Sequence, residues 1–243
     1  MTTLRSKTAS LLLPVLGALL FSASSWAQQR PPIIEKLAKT YGLDSFSQVE
    51  AVRYTFNAQF PGVNIARTWT WEPKTGQVTY ESKDKDGKPV KVTYLRSQLA
   101  SQPSDVKENI DPGFVNDNYW CFFPFHAYWD NGAAVTDEGM QKLPLGKGTA
   151  DKVAVKYSSG GYTPGDTWTL FIGSDGRIVA FDYKRGGPKK PSQVIATWAG
   201  YKKAGPLLFS TEHRGTADGA PLHIWFSNVA VKMAGSDKWM DAQ

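Results

Sequence analysis

From Val52 to Phe60 the residues V-R-Y-T-F-N-A-Q-F alternate apolar and polar without a break, and this period of two leaves the chain few ways to fold. Val52, Tyr54, Phe56, Ala58 and Phe60 fall on one face, with Arg53, Thr55, Asn57 and Gln59 on the other. A strand with one dry face satisfies that pattern, because successive side chains point to opposite sides of a sheet. The same beat returns in Val63, Ile65, Trp69 and Trp71, then in Val78 and Tyr80, and in Val92 and Tyr94. Further along it reappears in Val153 to Tyr157, Trp168 to Ile172, R-I-V-A-F-D-Y, Val194 to Tyr201, Leu207 to Arg214 and Leu222 to Met233, making about ten strands. Short turns join most of them, with Pro61-Gly62, Thr75-Gly76 and Asp86-Gly87 as the clearest signals. Such connections fit antiparallel neighbours, since parallel pairs need long crossovers.

Two stretches break the beat. Pro31-Pro32 and I-I-E-K-L-A-K-T-Y-G place Ile33, Ile34, Leu37 and Tyr41 at helical spacing, with Gly42 as the stop, so a short N-terminal helix is expected against the sheet. Between Gln98 and Gly148 the period of two disappears. Asp111-Pro112 there has the form of an N-cap and a first-turn proline, opening a helix through Phe114, Val115, Asn118, Tyr119, Phe122 and Phe123. Pro124 should end or kink it, leaving Phe125, Tyr128 and Trp129 in a loop or a second short helix.

Arg5 and Lys7, an apolar run from Leu11 to Phe21, and small residues ending Ser25-Trp26-Ala27 read as an export signal cleaved after Ala27. Without residues 1–27, Lys+Arg falls from 28 to 26 against 22 acids, a mild net charge of +4. The basic residues, such as Lys83, Lys85, Lys88, Lys91, Lys184, Arg185, Lys189 and Lys190, sit mostly near turns and form no stripe of the kind that binds nucleic acid. Cys121, the single cysteine, allows no internal disulfide and is no lipid-anchor cysteine at the cleavage point. The expected mature chain, residues 28–243, is one domain, periplasmic or secreted and without a membrane anchor.

The helix, the antiparallel strands and the helical insertion together resemble the periplasmic lipoprotein-carrier superfamily, the LolA/LolB-like fold, over nearly all of the mature chain. The strings T-W-T-W-E-P at 68–73, N-D-N-Y-W at 116–120, P-F-H-A-Y-W-D at 124–130 and G-G-Y-T-P-G-D at 160–166 look like those of secreted bacterial proteins in that neighbourhood. The resemblance implies a half-open β-barrel covered by helices, whose greasy face shelters acyl chains. Carrier barrels are lined with aliphatic residues; eight tryptophans after residue 27 make this interior more aromatic.

Seven aromatic side chains stand in the eleven positions from Tyr119 to Trp129. They either plug the barrel or line a site, because apolar clusters beside a few polar groups also build small-molecule pockets. His126 and Asp130, four apart, would share a helix face as a hydrogen-bonded acid/base pair. His213 and His223 come almost opposite each other if the chain turns at Asp218-Gly219, and with Glu212 or Asp166 could hold a metal, although both lie on the polar beat, where a solvent-facing pair is expected. G-G-Y-T-P-G-D lacks the lysine end of a phosphate loop and reads as a tight turn that Asp166 caps. Arg67 counts as inward on its strand, so it must be paired there, meet a ligand's polar head, or be turned outward by a β-bulge.

The expected architecture is therefore mainly β, a curved antiparallel sheet forming a half-open, incompletely closed barrel, with an N-terminal helix and a helical lid inserted at about 104–130. The expected function is non-catalytic binding or carriage of a hydrophobic small molecule or lipid, including lipoprotein acyl chains, by a monomer with no cofactor and no metal. Its cavity should be lined by Phe56, Arg67, Trp69 and Trp71 from the first strands, Tyr119, Trp120, Phe122 and Phe123 from the lid, and Trp168 and Trp198 from the later strands. The rivals are a hydrolase or metal-dependent enzyme using His126 and Asp130, or His213 and His223, and an envelope scaffold that binds a protein through its sheet edge.

Overall fold

The computed structural model describes residues 30–159, 162–187 and 192–243. The expected export signal lies outside these residues, as do Gly160 and Gly161 of the glycine-rich turn and Lys189 and Lys190.

Helix α1 (Pro32–Thr40) opens with proline at its first turn and buries Ile34, Leu37 and Ala38. Gly42 stops it at φ 105°, a conformation that favours glycine. An added Cβ there would also stand 2.6 Å from the Pro206 carbonyl oxygen, so the position needs glycine twice over. A single turn, α2 (Leu43–Phe46), leads into the sheet.

Among the described residues the sheet has thirteen strands, all antiparallel to their neighbours. β1 (Val49–Phe60), β2 (Val63–Glu72), β3 (Gln77–Lys83) and β4 (Pro89–Leu95) form one meander. β5 (Ala133–Lys142), β6 (Thr149–Tyr157), β7 (Thr167–Ile172), β8 (Ile178–Lys184) and β9 (Gln193–Thr197) begin a second. It ends in β10 (Ala199–Ala204), β11 (Leu207–Ala217) and β12 (Ala220–Met233), with β13 (Trp239–Asp241) added beside β12. The two meanders join where β1 pairs with β12, leaving β4 and β5 as the free edges, so the sheet does not close into a barrel. This is the mainly β, half-open architecture expected from the sequence.

The chain between those edges holds a 3₁₀ turn (Arg96–Ser101), a π-helical turn (Val106–Ile110) and helix α3 (Asp111–Trp129). Nineteen residues in α3 correspond to about 28 Å of helix, enough to lie along the inner face of the sheet. Among the described residues no helix is long and apolar enough to cross a membrane.

Several local expectations need correction. β5 falls within the stretch read as lacking strands. Only Ala133 and Val135 of its ten residues are buried, so this edge strand has almost no apolar beat to display. Val194 to Tyr201 is two strands, because the chain breaks at Trp198 and the Trp198 amide bonds the Val179 carbonyl at 3.1 Å. Near Pro124 the expected kink is present: two helical segments meet at the non-helical Phe122, and the second runs on to Trp129. Asp111 makes no side-chain cap; its buried carboxylate accepts bonds from tyrosine and arginine side chains instead.

Candidate functional site

Helix α3 is apolar nearly all round, as a helix buried on several sides must be. Phe122, fully buried, meets Tyr54, Trp71 and Phe209 of the sheet, and Phe46 of α2 packs against Phe122, Phe125 and Trp129. Phe123 stacks on Trp168 with ring centres 4.1 Å apart, and Trp120 sits edge-on to Trp168, Phe181 and Tyr183. The helix thus fills much of the inner face with interlocked rings.

Of the residues expected to line a cavity, Phe56, Trp69, Trp120, Phe122, Phe123, Trp168 and Trp198 are buried in the hydrophobic core, and the partly buried Trp71 packs against it. Trp69 and Trp71 contact Phe114, and Trp198 contacts Phe181 and His213. Tyr119, Trp120 and Trp168 border open space: a cleft of about 720 Å³ between α3 and the strands around β6–β8.

Arg67 stays on the inner face. β1 and β2 pair without a register shift from Val52↔Trp71 to Phe60↔Val63, so the bulge that would have turned it outward is not there. Its guanidinium donates to both oxygens of Asp117, Nε to Oδ2 at 2.7 Å and Nη2 to Oδ1 at 2.6 Å. Trp69 Nε1 donates to the same carboxylate at 2.8 Å and Asn116 Nδ2 at 3.0 Å. Burial raises the Asp117 pKa against the opposing pull of Arg67.

Three further carboxylates organise the cleft. Asp130 Oδ2 accepts bonds from Tyr119 OH at 2.7 Å and Tyr157 OH at 3.0 Å. Burial alone would raise its pKa, but the hydrogen bond and charge of His126, with the two phenols, hold it below the usual value. Asp166 Oδ2 accepts from Thr163 at 2.5 Å and from Tyr183 at 3.0 Å, while its Oδ1 takes the Gly186 amide at 2.7 Å. Asp166 therefore ties the expected turn together. Asp111, at the back, accepts from Tyr162 at 2.6 Å, Tyr94 at 2.8 Å and Arg96 Nε at 2.9 Å. Burial raises the pKa of Tyr119, Tyr157 and Tyr183, and pushes Tyr162 up to about 12. All four phenols stay protonated and serve as donors to these carboxylates. Arg30 pins the adjoining loop by donating to the carbonyl oxygens of Asp130 and Ala133.

The histidines occupy three separate settings. His126 Nδ1 lies 3.2 Å from both Asp130 oxygens, as its four-residue spacing suggested, while Nε2 lies 2.8 Å from Asn118 Oδ1 and the ring stacks on Tyr119. Both ring nitrogens thus have protein partners, Nδ1 also receiving the Trp129 indole N–H at 3.2 Å. His213 is fully buried among Phe181, Trp198 and Phe226, against the expectation of a solvent-facing pair. The Asp218-Gly219 turn pairs His213 with Ile224 and Arg214 with His223. One residue of offset puts the two histidines on opposite faces, since side chains alternate along a strand. His223 instead bonds Glu212 Oε2 at 2.8 Å and stacks on Trp225. Among the described residues no three His, Cys, Asp or Glu side chains converge as a metal site.

The sheet edges are blunted as well. β4 begins with Pro89 and carries Lys91, and β5 has a register break between Asp137 and Met140, with Gly139 at φ 68°. Such features discourage another chain from adding a strand.

No family model matches the chain, and no curated protein matches it. In fold it is similar to a DUF1329 family protein from Desulfovibrio piger, at 11% identity over 86% of this chain and 96% of that one, with a TM-score of 0.44. It is also similar to a candidate outer membrane lipoprotein-sorting protein domain from Vibrio parahaemolyticus, at 9% identity over 84% and 95% of the two chains, with a TM-score of 0.45. A third neighbour is the Mycobacterium tuberculosis lipoprotein LppX, at 9% identity over 83% and 96%, with a TM-score of 0.29.

Sequence reasoning did not pick out Asp117, Asp111, Tyr157, Tyr162 or Tyr183. The one signal for Asp117 was an acid inside an aromatic run, N-D-N-Y-W, which a buried helix tolerates only with a partner.

Proposed function

We propose that the protein is a non-catalytic envelope protein that binds or carries an amphipathic ligand, with the ligand's apolar part on Trp120 and Trp168 in the cleft beside α3. The observation that carries this reading is the cleft itself, about 720 Å³ of space beside these two indoles. Small-molecule sites fall in the range of ~300–1,000 Å³ and combine apolar walls with a few placed polar groups. A cleft of that size suits a small amphiphile or one acyl chain seated beside the lid. Several acyl chains at once would require α3 to leave the sheet, against the packing of Phe122 and Phe123.

Export by residues 1–27 and a monomeric state belong to the same proposal. The hydrogen-bond partners of His126 are Asp130, Asn118 and Trp129, none of them a nucleophile, which favours binding over hydrolysis. The test is native mass spectrometry of protein purified from the periplasm, with lipid extraction. A stoichiometric amphiphile, lost on Trp120→Ala in a variant that still folds, supports the reading. Repeated recovery of bare protein that also takes up no added amphiphile overturns it.

A further inference from the structure

Most of the hydroxyl groups around the cleft share one property. Tyr119 and Tyr157 donate to Asp130, Tyr162 to Asp111, Thr163 and Tyr183 to Asp166, and Ser192 to Asp218. Six hydroxyls lining the cleft have thus committed their only proton to a carboxylate. Their oxygens keep lone pairs and have no hydrogen left to give. Asn116, also in the lining, directs an amide hydrogen to Asp117. Among the described lining residues Glu108, Asp130 and Asp166 stand against one cation, Arg185, which lies beside Tyr183. Among the described residues the wall is therefore rich in acceptors and has more carboxylates than cations.

Resting on the reading of this cleft as the ligand site, we infer that it takes a head group that is a positively charged hydrogen-bond donor, an alkylammonium in chemical class, and disfavours anionic heads. Two physical arguments support the choice. An ammonium has three donors and no acceptor, matching a wall on which these six hydroxyls can only accept. An exposed aromatic ring in the lining, Tyr162, also attracts cations, through the negative potential of its π-system. A carboxylate or sulfate head would meet filled lone pairs and like charge, the arrangement that rejects a partner.

The test holds the tail constant and varies the head. Isothermal titration of the full mature chain with dodecylammonium, dodecyl maltoside and dodecanoate, each below its micelle concentration, reads the preference directly. Dodecylammonium is expected to bind at least about tenfold tighter than dodecanoate, the scale of one charged hydrogen bond. Asp130→Asn should reduce that preference. So should Glu108→Gln, at an exposed position where folding is not at stake. Dodecanoate binding as tightly as dodecylammonium, or dodecyl maltoside binding more tightly, overturns the head-group assignment and leaves the carrier reading standing. Failure of all three to bind folded protein overturns both.

Discussion

Arg67 on β2 grips Asp117 on α3 at two points, at 2.7 and 2.6 Å, and this contact ties the aromatic helix to the first meander of the sheet. Asp117 is fully buried, whereas the Arg67 side chain is 25% exposed. Removing the guanidinium strands a carboxylate where water cannot solvate it.

Arg67→Ala is therefore expected to destabilise the fold by about 3 kcal/mol, the lower end of what breaking a buried pair costs, because Arg67 is part-exposed. Arg67→Met combined with Asp117→Leu should recover most of that loss. Urea denaturation of both variants checks the pair, and a single variant as stable as the parent would show that the contact contributes nothing.

Phe122 tests whether the lid fills or covers. Phe122→Ala should cost about 3–5 kcal/mol, the range for truncating an aromatic in a close-packed core, while Phe122→Leu should cost less. A loss below about 1 kcal/mol in thermal or chemical unfolding would mean that the surrounding rings are loosely packed.

His213 makes the protein acid-sensitive. Burial, the largest cause, pushes its imidazole down to about 3, from an ordinary value of 6.5. Between these values the unfolded chain binds a proton that the folded chain refuses, so stability rises with pH across this window and is lost as pH falls. The slope from this one group is about 1.4 kcal/mol per pH unit. Unfolding free energies measured from pH 7 to pH 4 should show that decline, and His213→Gln should flatten it. An unchanged slope in the variant would assign acid sensitivity to other groups.

Asp130 works in the same direction at lower pH. Its hydrogen bonds, chiefly from His126, hold its pKa below the usual value despite burial. The stability it adds is present above the unfolded carboxyl pKa and lost as pH falls through the folded one. Asp130→Asn should remove that component below about pH 4, read as a smaller acid-induced drop in melting temperature.

Cys121 should be inert. Its thiol is buried and pushed well above the usual range, first by desolvation and then by the charge of Asp117. Since the thiolate is the reactive form, a thiol reagent at pH 8 should label Cys121 only as fast as the protein unfolds. Rapid labelling of the native state, faster than its unfolding rate in the same buffer, would contradict that burial.

What could be read in advance followed from how local each feature is. The β1 pattern, the Asp86-Gly87 turn and the α1 stop at Gly42 each depend on residues within a few positions of one another. β5 escaped because a charged edge strand buries too little to alternate, whereas the local effect of Pro124 was legible and appears as the kink at Phe122. His213 and His223 were correctly brought near each other by their turn, yet one residue of register decided which of them faced the core.

The sequence by itself determined a one-sided antiparallel sheet, a short leading helix and an aromatic insertion, because apolar periodicity and turn chemistry act over a handful of neighbouring residues. Tertiary structure alone decided that β1 would lie beside β12, that Arg67 would meet Asp117, and that four tyrosines lining one cleft would donate hydrogen bonds to three aspartates. Partners separated by about 10 to 170 positions are chosen by how the whole chain excludes water from its apolar faces, and buried polar groups then bond to whatever that packing brings within reach.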